Sequence, residues 1–232
     1  MKRDVLDKGF VRLVDHMGSD LNIVRAARVS YDADWRAGLN EGSDARLIRY
    51  LLENKHSTPF EAVTFTFEVK APIFVLRQWH RHRTWAYNEV SARYTTLDEG
   101  WYVPDGAVIG RQSVDNKQSR DILSPSDADH NAVWENNVRG VIMDACERAN
   151  ADYRALILNG CPRELARSVL PVANYSRMFA TVNLHNLLHF LRLRLHKHAQ
   201  YEIRQYALAL FDLASQVAPV TMSVFNDTQR AT

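Results

Sequence analysis

Cysteine is almost absent from this chain: Cys146 and Cys161 are the two thiols in 232 residues. They build no disulfide framework, and neither stands in a C-x-x-C or metal-ligand spacing, so a reducing compartment is expected. Long apolar runs are missing too. No stretch approaches the roughly 18 residues that span a membrane, and the opening Met1-Lys2-Arg3-Asp4-Val5-Leu6 lacks the apolar core of a signal peptide. A cytoplasmic protein with no membrane partner is the expectation. A surplus of one charge is also lacking. Lys+Arg of 29 against Asp+Glu of 27 leaves a formal charge of +2, which gives no global field to hold a nucleic-acid polymer. What the chain has is 46% apolar residues, enough for a substantial core, and the expectation is a single domain over 1–232.

Hydrophobic period and breaker residues divide the chain. Ser19 or Asp20 can cap a short helix through Arg28, and Ser43 or Asp44 a second one that carries Leu47, Ile48, Leu51 and Leu52 and stops near Asn54. Lys55 to Glu61 is a polar turn holding Pro59, the kind of segment that carries function on a rigid frame. Residues 62 to 70 alternate, with Val63, Phe65, Phe67 and Val69 opposed to Thr64, Thr66, Glu68 and Lys70, the mark of a half-buried strand. Pro72 then pre-sets the first turn of a helix through Trp79. Residues 98 to 127 show no period and predict a long loop or insertion. A long helix is predicted from Asp127, its possible cap, to Asn159, with Gly160 as terminator. Pro162 starts another that Pro171 ends, and Asn174 to Val182 suits a second central strand. Helices over 184 to 196 and 200 to 217 complete the prediction. Long helices around a few alternating strands imply α+β, with a mostly antiparallel sheet.

The densest chemistry lies in Arg81-His82-Arg83-Thr84-Trp85-Ala86-Tyr87-Asn88-Glu89-Val90-Ser91-Ala92-Arg93. Guanidinium forks match phosphate oxygens, while Asn, Glu and Ser can fix ribose and base edges, so the run suits a nucleotide. The competing reading is a solvated basic face. Interleaved Trp79, Trp85, Tyr87 and Tyr94 count against it, since large aromatics rarely decorate such a face.

On the helix from Leu184, Leu187, Leu188, Leu191 and Leu195 share one side with Leu184, and His185, His189, Arg192 and His196 share another. Arg194 belongs to neither stripe and projects at the apolar margin. An arginine there either snorkels over apolar surface or stands in a partly dry pocket, poised for an anionic ligand.

Together these residues resemble the flavin-dependent thymidylate synthase family. Its signature R-H-R-x-x-S-x-N-E-x-S-x-R is matched from Arg81 to Arg93 at every fixed letter except one, where Ala86 replaces the first serine. The flanks agree: His56-Ser57-Thr58-Pro59-Phe60-Glu61, Gln78, Pro162-Arg163-Glu164-Leu165-Ala166-Arg167, Leu170-Pro171, Leu193-Arg194 and His198-Ala199-Gln200-Tyr201-Glu202-Ile203.

The resemblance implies reductive methylation of dUMP to dTMP, with methylenetetrahydrofolate as one-carbon donor, FAD as hydride carrier and NADPH as reductant. It implies dUMP contacts from Gln78, Arg81, Glu89, Val90, Ser91, Ala92, Arg93 and Arg167. Arg194 is implied at the uracil edge, where it would stabilise negative charge as carbon 5 becomes nucleophilic. FAD contacts fall on His56, Thr58, Arg81, His82, Arg83, Glu89, Asn183, Leu184, His185 and His189. A homotetramer with sites shared between subunits is also implied. Loss of the serine at Ala86 is expected to alter fine contacts and leave activity intact.

No cysteine is expected to act as nucleophile, because a useful thiolate needs an electropositive, accessible setting. Ser91 reads as a phosphate ligand, since no G-x-S-x-G elbow surrounds it. Two other classes compete. His185 and His189 with His196 and His198 could ligate zinc, though the H-E-x-x-H glutamate is missing, and no metal is expected. The basic, aromatic run could serve as a stacking platform for RNA or DNA, against which the near-neutral charge speaks.

Overall fold

The computed structural model describes residues 1–117, 120–121 and 128–230. Its centre is an antiparallel sheet of five strands: β1 (Lys2–Val5), β2 (Gly9–Met17), β3 (Thr64–Pro72), β4 (Ala86–Glu89) and a long strand over Tyr175–Asn183. A two-stranded ribbon, β5 (Arg111–Gln112) and β6 (Arg120–Asp121), stands apart, so the long strand is β7. The order is β1-β2-β3-β7-β4, with β3 and β7 paired from Thr64↔Asn183 to Pro72↔Tyr175. The helices are α1 (Asp20–Arg28), α2 (Glu41–Glu53), α3 (Ile73–Trp79), α4 (Ala128–Leu158), α5 (Arg163–Ala166), α6 (Leu184–Arg194), α7 (Tyr201–Ser215) and α8 (Pro219–Arg230). The architecture is α+β with an antiparallel sheet, as the patterning implies. Among the described residues no helix is long and apolar enough to cross a membrane.

The core lies between one sheet face and the C-terminal helices. Val63, Phe65, Phe67 and Val69 are fully buried, and Leu184, Leu187, Leu188 and Leu191 of α6 meet them with Ile203, Tyr206, Leu210 and Leu213 of α7. The leucine stripe of α6 is thus its buried side, with Phe190 added. Trp79 sits at the junction, its ring 5.0 Å from Phe190, 5.8 Å from Trp85 and 6.0 Å from Tyr206.

Several element boundaries differ from the sequence-based expectation. Asn40, not Ser43 or Asp44, caps α2, because its Oδ1 accepts from the Ser43 amide at 2.9 Å and draws the helix start back to Glu41. Asp44 then turns inward, accepting from the Gly38 amide at 2.7 Å and pairing with Arg28 at 2.6 Å. The central strand begins at Thr64, since Thr58–Ala62 winds into a 3-10 turn. Pro72 closes that strand and sits at the N-cap of α3 rather than inside its first turn.

Within 98–127 the described part holds a 3-10 turn, Gly106–Val108, and the β5–β6 ribbon, and Trp101 bridges Asn174. The cap expected at Asp127 lies outside the described residues. At the far end of α4, Cys161 N–H donates to Leu156 O at 2.9 Å and Gly160 N–H to Ile157 O at 3.0 Å, while Gly160 takes φ +80°. That is the paired closure a glycine terminator makes. The helix expected from Pro162 to Pro171 is a single turn, α5, continued by a 3-10 turn over Arg167–Val169, and the sequence pattern marks neither strands β1, β2, β4, β5 and β6 nor helix α8.

Candidate active site

The signature run is a buckle between α3 and β7. Tyr87 makes it stiff: its single hydroxyl proton is shared between His82 O at 2.8 Å and Trp79 O at 3.1 Å, pulling β4 onto the end of α3. Burial holds the Tyr87 phenol well above its ordinary pKa, so it stays a donor. Within the run His82 and Trp85 are buried while Arg81, Arg83 and Arg93 are exposed. Core packing therefore aims the guanidiniums outward. The aromatics expected to mark a ligand face divide instead: Trp79 and Trp85 belong to the core, Tyr87 is half-buried, and Tyr94 is 80% exposed. Beyond β4, Val90 N–H donates to Arg177 O at 2.9 Å, and Ser91 O accepts from the Tyr94 and Thr95 amides at 3.0 and 3.2 Å.

Three hollows collect most of the expected site residues. A cleft of about 680 Å³ brings Glu89, Val90, Ser91 and Ala92 together with Arg167. These come from distant segments. A second hollow, about 440 Å³, is lined by Arg81, His82, Arg83, Thr84, His189, Leu193 and Arg194. A third, about 180 Å³, has His56, His185, His189, Lys55 and Arg192 around an apolar floor of Leu51, Leu52, Phe60 and Leu188. His189 lines both of the last two, which makes them neighbours. A larger hollow of about 730 Å³, beside Arg3, Asp7, Tyr102 and Arg139, contains none of the expected residues.

Gln78, Arg93, Asn183, Leu184 and Thr58 line none of these three hollows. Gln78 donates through its side chain to Gln200 and accepts Arg194 Nη2 on its carbonyl at 3.2 Å. Arg93 lies 3.7 Å from Glu164, and Arg167 Nε donates to Glu164 O at 3.3 Å. Asn183 caps α6, its Oδ1 accepting from the Asn186 amide at 2.9 Å. Leu184 is fully buried and its amide donates to Val63 O at 2.7 Å, so it meets a ligand through neither group. Thr58 and His56 are exposed, the His56 ring stacked 5.7 Å from Tyr50.

Sequence reasoning missed Arg77, His80, Glu164, Ser168 and Ser176, which line the cleft beside Glu89. His80 Nε2 lies 3.9 Å from Glu89 Oε2. No local spacing marks them, since Arg77 and His80 come from the end of α3, Glu164 and Ser168 from the turn before β7, and Ser176 from β7 itself.

Arg194 and His82 form the unusual pair. Arg194 Nε donates to His82 Nε2 at 3.0 Å, which requires a neutral imidazole with its proton on Nδ1. Desolvation, with the charges of Arg194 and His189, lowers the His82 pKa from 6.5 to about 4. Burial and the nearby Arg81 charge weaken proton binding at Arg194 itself. Among the described residues Arg194 has no carboxylate partner, and its donors meet only a neutral ring and a carbonyl. A half-buried guanidinium so placed retains its field for an incoming anion.

Cys146 is buried in α4 and desolvation raises its pKa, while Cys161 lies at the α4 terminus. Among the described residues no three His, Cys, Asp or Glu side chains are grouped to hold a metal ion.

The family model described as thymidylate synthase complementing protein matches residues 12–220. The chain is 48% identical to the flavin-dependent thymidylate synthase of Treponema denticola over 222 residues, covering 95% of this chain and 80% of the relative. It is 44% identical to the enzyme of that name from Thermus thermophilus, covering 96% and 77%. In solved structures it resembles a UMP/dUMP methylase, PolB, from Streptomyces cacaoi. The form bound with 5-Br UMP has a TM-score of 0.83 at 37% identity over 98% of this chain and 97% of that one. The form bound with 5-Br dUMP has a TM-score of 0.85 at 36% identity, covering 97% of each chain.

Proposed function

The chain belongs to the flavin-dependent thymidylate synthase family, and from that premise we infer that it reductively methylates dUMP to dTMP with FAD. The observation that carries the reading is the convergence of Glu89, Val90, Ser91, Ala92 and Arg167 on one cleft. Ser91 and Arg167 offer a hydroxyl and a guanidinium to a phosphate, and Glu89 offers acceptors to a sugar or base. Arg194 waits at the uracil edge, where its charge stabilises the electron density that makes carbon 5 nucleophilic. Activation by charge needs no enzyme thiolate, in keeping with the inert Cys146.

The third hollow, about 180 Å³, has room for one part of a flavin dinucleotide rather than the whole: His56, His185, Lys55 and Arg192 supply donors at its edge, and Leu51, Phe60 and Leu188 an apolar floor. Arg81 and Arg83, both exposed, extend that cationic rim. FAD supplies hydride chemistry when bound. The one-carbon unit from methylenetetrahydrofolate arrives two electrons short of a methyl group, and NADPH is the reductant assigned to close that gap. Asn183 and Leu184 serve by placing His185 at the start of α6, and Gln78, Arg93 and Thr58 complete the nucleotide and flavin contacts.

On one chain these residues occupy separate hollows, and α4 exposes Val141 (70%), Val133 (63%) and Met143 (48%). Both features support a homotetramer whose sites are completed by neighbouring copies, each chain contributing one domain over 1–232. A cytoplasmic location fits the two unpaired thiols. The test is direct. Purified protein should be yellow and form dTMP only when dUMP, methylenetetrahydrofolate and NADPH are all supplied. Arg81→Ala should lose both colour and turnover; a colourless wild-type protein without dUMP-dependent turnover defeats the assignment.

A further inference from the structure

Glu202, in the first turn of α7, is a carboxylate 2% exposed. A carboxylate taken so far out of water needs close pairing, so its partners matter. Its Oε1 accepts from Arg120 Nη2 at 2.5 Å and from the Tyr102 hydroxyl at 3.2 Å. The Arg120 guanidinium also lies 5.4 Å from the Tyr201 ring centroid. Both partners come from the segment between β4 and α4. Tyr102 is held there by its amide, which donates to Ala173 O at 2.9 Å. Arg120 belongs to the β5–β6 ribbon, whose turn reaches back through Asn116 Nδ2 to His198 Nδ1 at 3.2 Å.

Two residues before Glu202, Gln200 opens α7 without capping any helix amide. Its side chain accepts from Gln78 instead, and the Gln78 carbonyl holds Arg194. A polar path therefore leads from Arg120 through Glu202 and the start of α7 to Gln200, Gln78 and Arg194. Resting on the dUMP reading above, we propose that Arg120 and Glu202 are positioning residues: their ion pair clamps the ribbon onto α7 and so fixes Gln200, Gln78 and Arg194 in register with the pyrimidine. An apolar pair would pack α7 equally well. Only a short, directional contact ties ribbon and helix together at one setting.

The experiment uses the flavin-loaded enzyme with Arg120→Gln and Tyr102→Phe. Arg120→Gln should lower kcat/KM for dUMP about tenfold, and Tyr102→Phe, which removes a single hydroxyl, less. Flavin absorbance per chain should match wild type in both. In a Gln200→Ala background, Arg120→Gln should add no further loss, because the clamp acts through Gln200. Unchanged kcat/KM in both variants, or fully additive losses with Gln200→Ala, overturns the clamp. If Arg120→Gln fails to fold, Tyr102→Phe alone decides between the same outcomes. Failure of the wild type to make dTMP removes the activity and the clamp together, whereas wild-type turnover with unmoved variants rejects only the clamp.

Discussion

Acid should cost the fold stability before it breaks the His82–Arg194 contact. In the unfolded chain His82 binds a proton near its ordinary value of 6.5, whereas in the folded protein it does so only near 4. Below pH 6.5 the unfolded state therefore takes up a proton that the folded state refuses, and stability declines until about pH 4. Above 6.5 the contribution is fully present. The gap between those two values sets a ceiling of roughly 3–4 kcal/mol, and solvent screening at the rim of the hollow keeps the expected loss below it. Protonation of the folded enzyme near pH 4 also turns the acceptor of Arg194 Nε into a second cation at 3.0 Å, so turnover should hold down to that region and fall through it.

Urea unfolding at pH 7 and pH 5 would measure the loss, and the imidazole proton resonances would give the titration midpoint. His82→Gln, which cannot titrate, should show a shallower decline than wild type. A midpoint near 6.5, or identical acid sensitivity in His82→Gln, would refute the neutral-acceptor argument. Removing the cation by Arg194→Ala deletes one of the charges holding the His82 pKa down, so the midpoint should rise in that variant.

Arg194→Ala should also cut kcat by about a hundred- to a thousandfold while flavin stays bound, the usual cost of about 2.7–4 kcal/mol for one charge-stabilising donor; rapid-quench turnover measures it, and an unchanged rate rejects the role. Cys146→Ala and Cys161→Ser should each leave dTMP formation intact, as read by product chromatography, and abolished activity in a folded variant would reinstate a thiolate mechanism. Tyr87→Phe leaves the carbonyls of Trp79 and His82 without their shared donor, so thermal unfolding should show a loss of about 1–3 kcal/mol and dUMP affinity should weaken.

Much of the fold was legible where burial imposes a single period. The alternation over 62 to 70 marked the central strand because Val63, Phe65, Phe67 and Val69 are all fully buried, with Glu68 the one charged residue of the opposite face that is buried too, and the leucines of α6 lie on the side that meets the sheet. The edges were less legible. In β2 only Gly9, Val11 and Leu13 are buried before the strand runs out into exposed residues, too short a pattern to stand out. β4 was hidden because its residues, Ala86 to Glu89, carry the signature's chemistry and only one of its neighbours, β7, pairs with it. The cap that Asn183 forms at the start of α6 was readable from its place ahead of a leucine-periodic run, whereas its expected flavin contact came from the family pattern alone. The grouping of Glu89 with Arg167 and of His82 with Arg194 depends on contacts between distant segments, which no local spacing encodes.

Trp79 and Trp85 give the molecule an internal gauge of its own working surface. Both indoles lie in the interior within 6 Å of each other, and the segment rooted by them carries Arg81 and Arg83 at its surface. Any repacking around these rings would swivel the guanidiniums, so changes made for heat tolerance in that interior would alter ligand affinity as well. Their emission therefore reports, in one signal, on how well the interior is packed and on how the cationic rim is aimed.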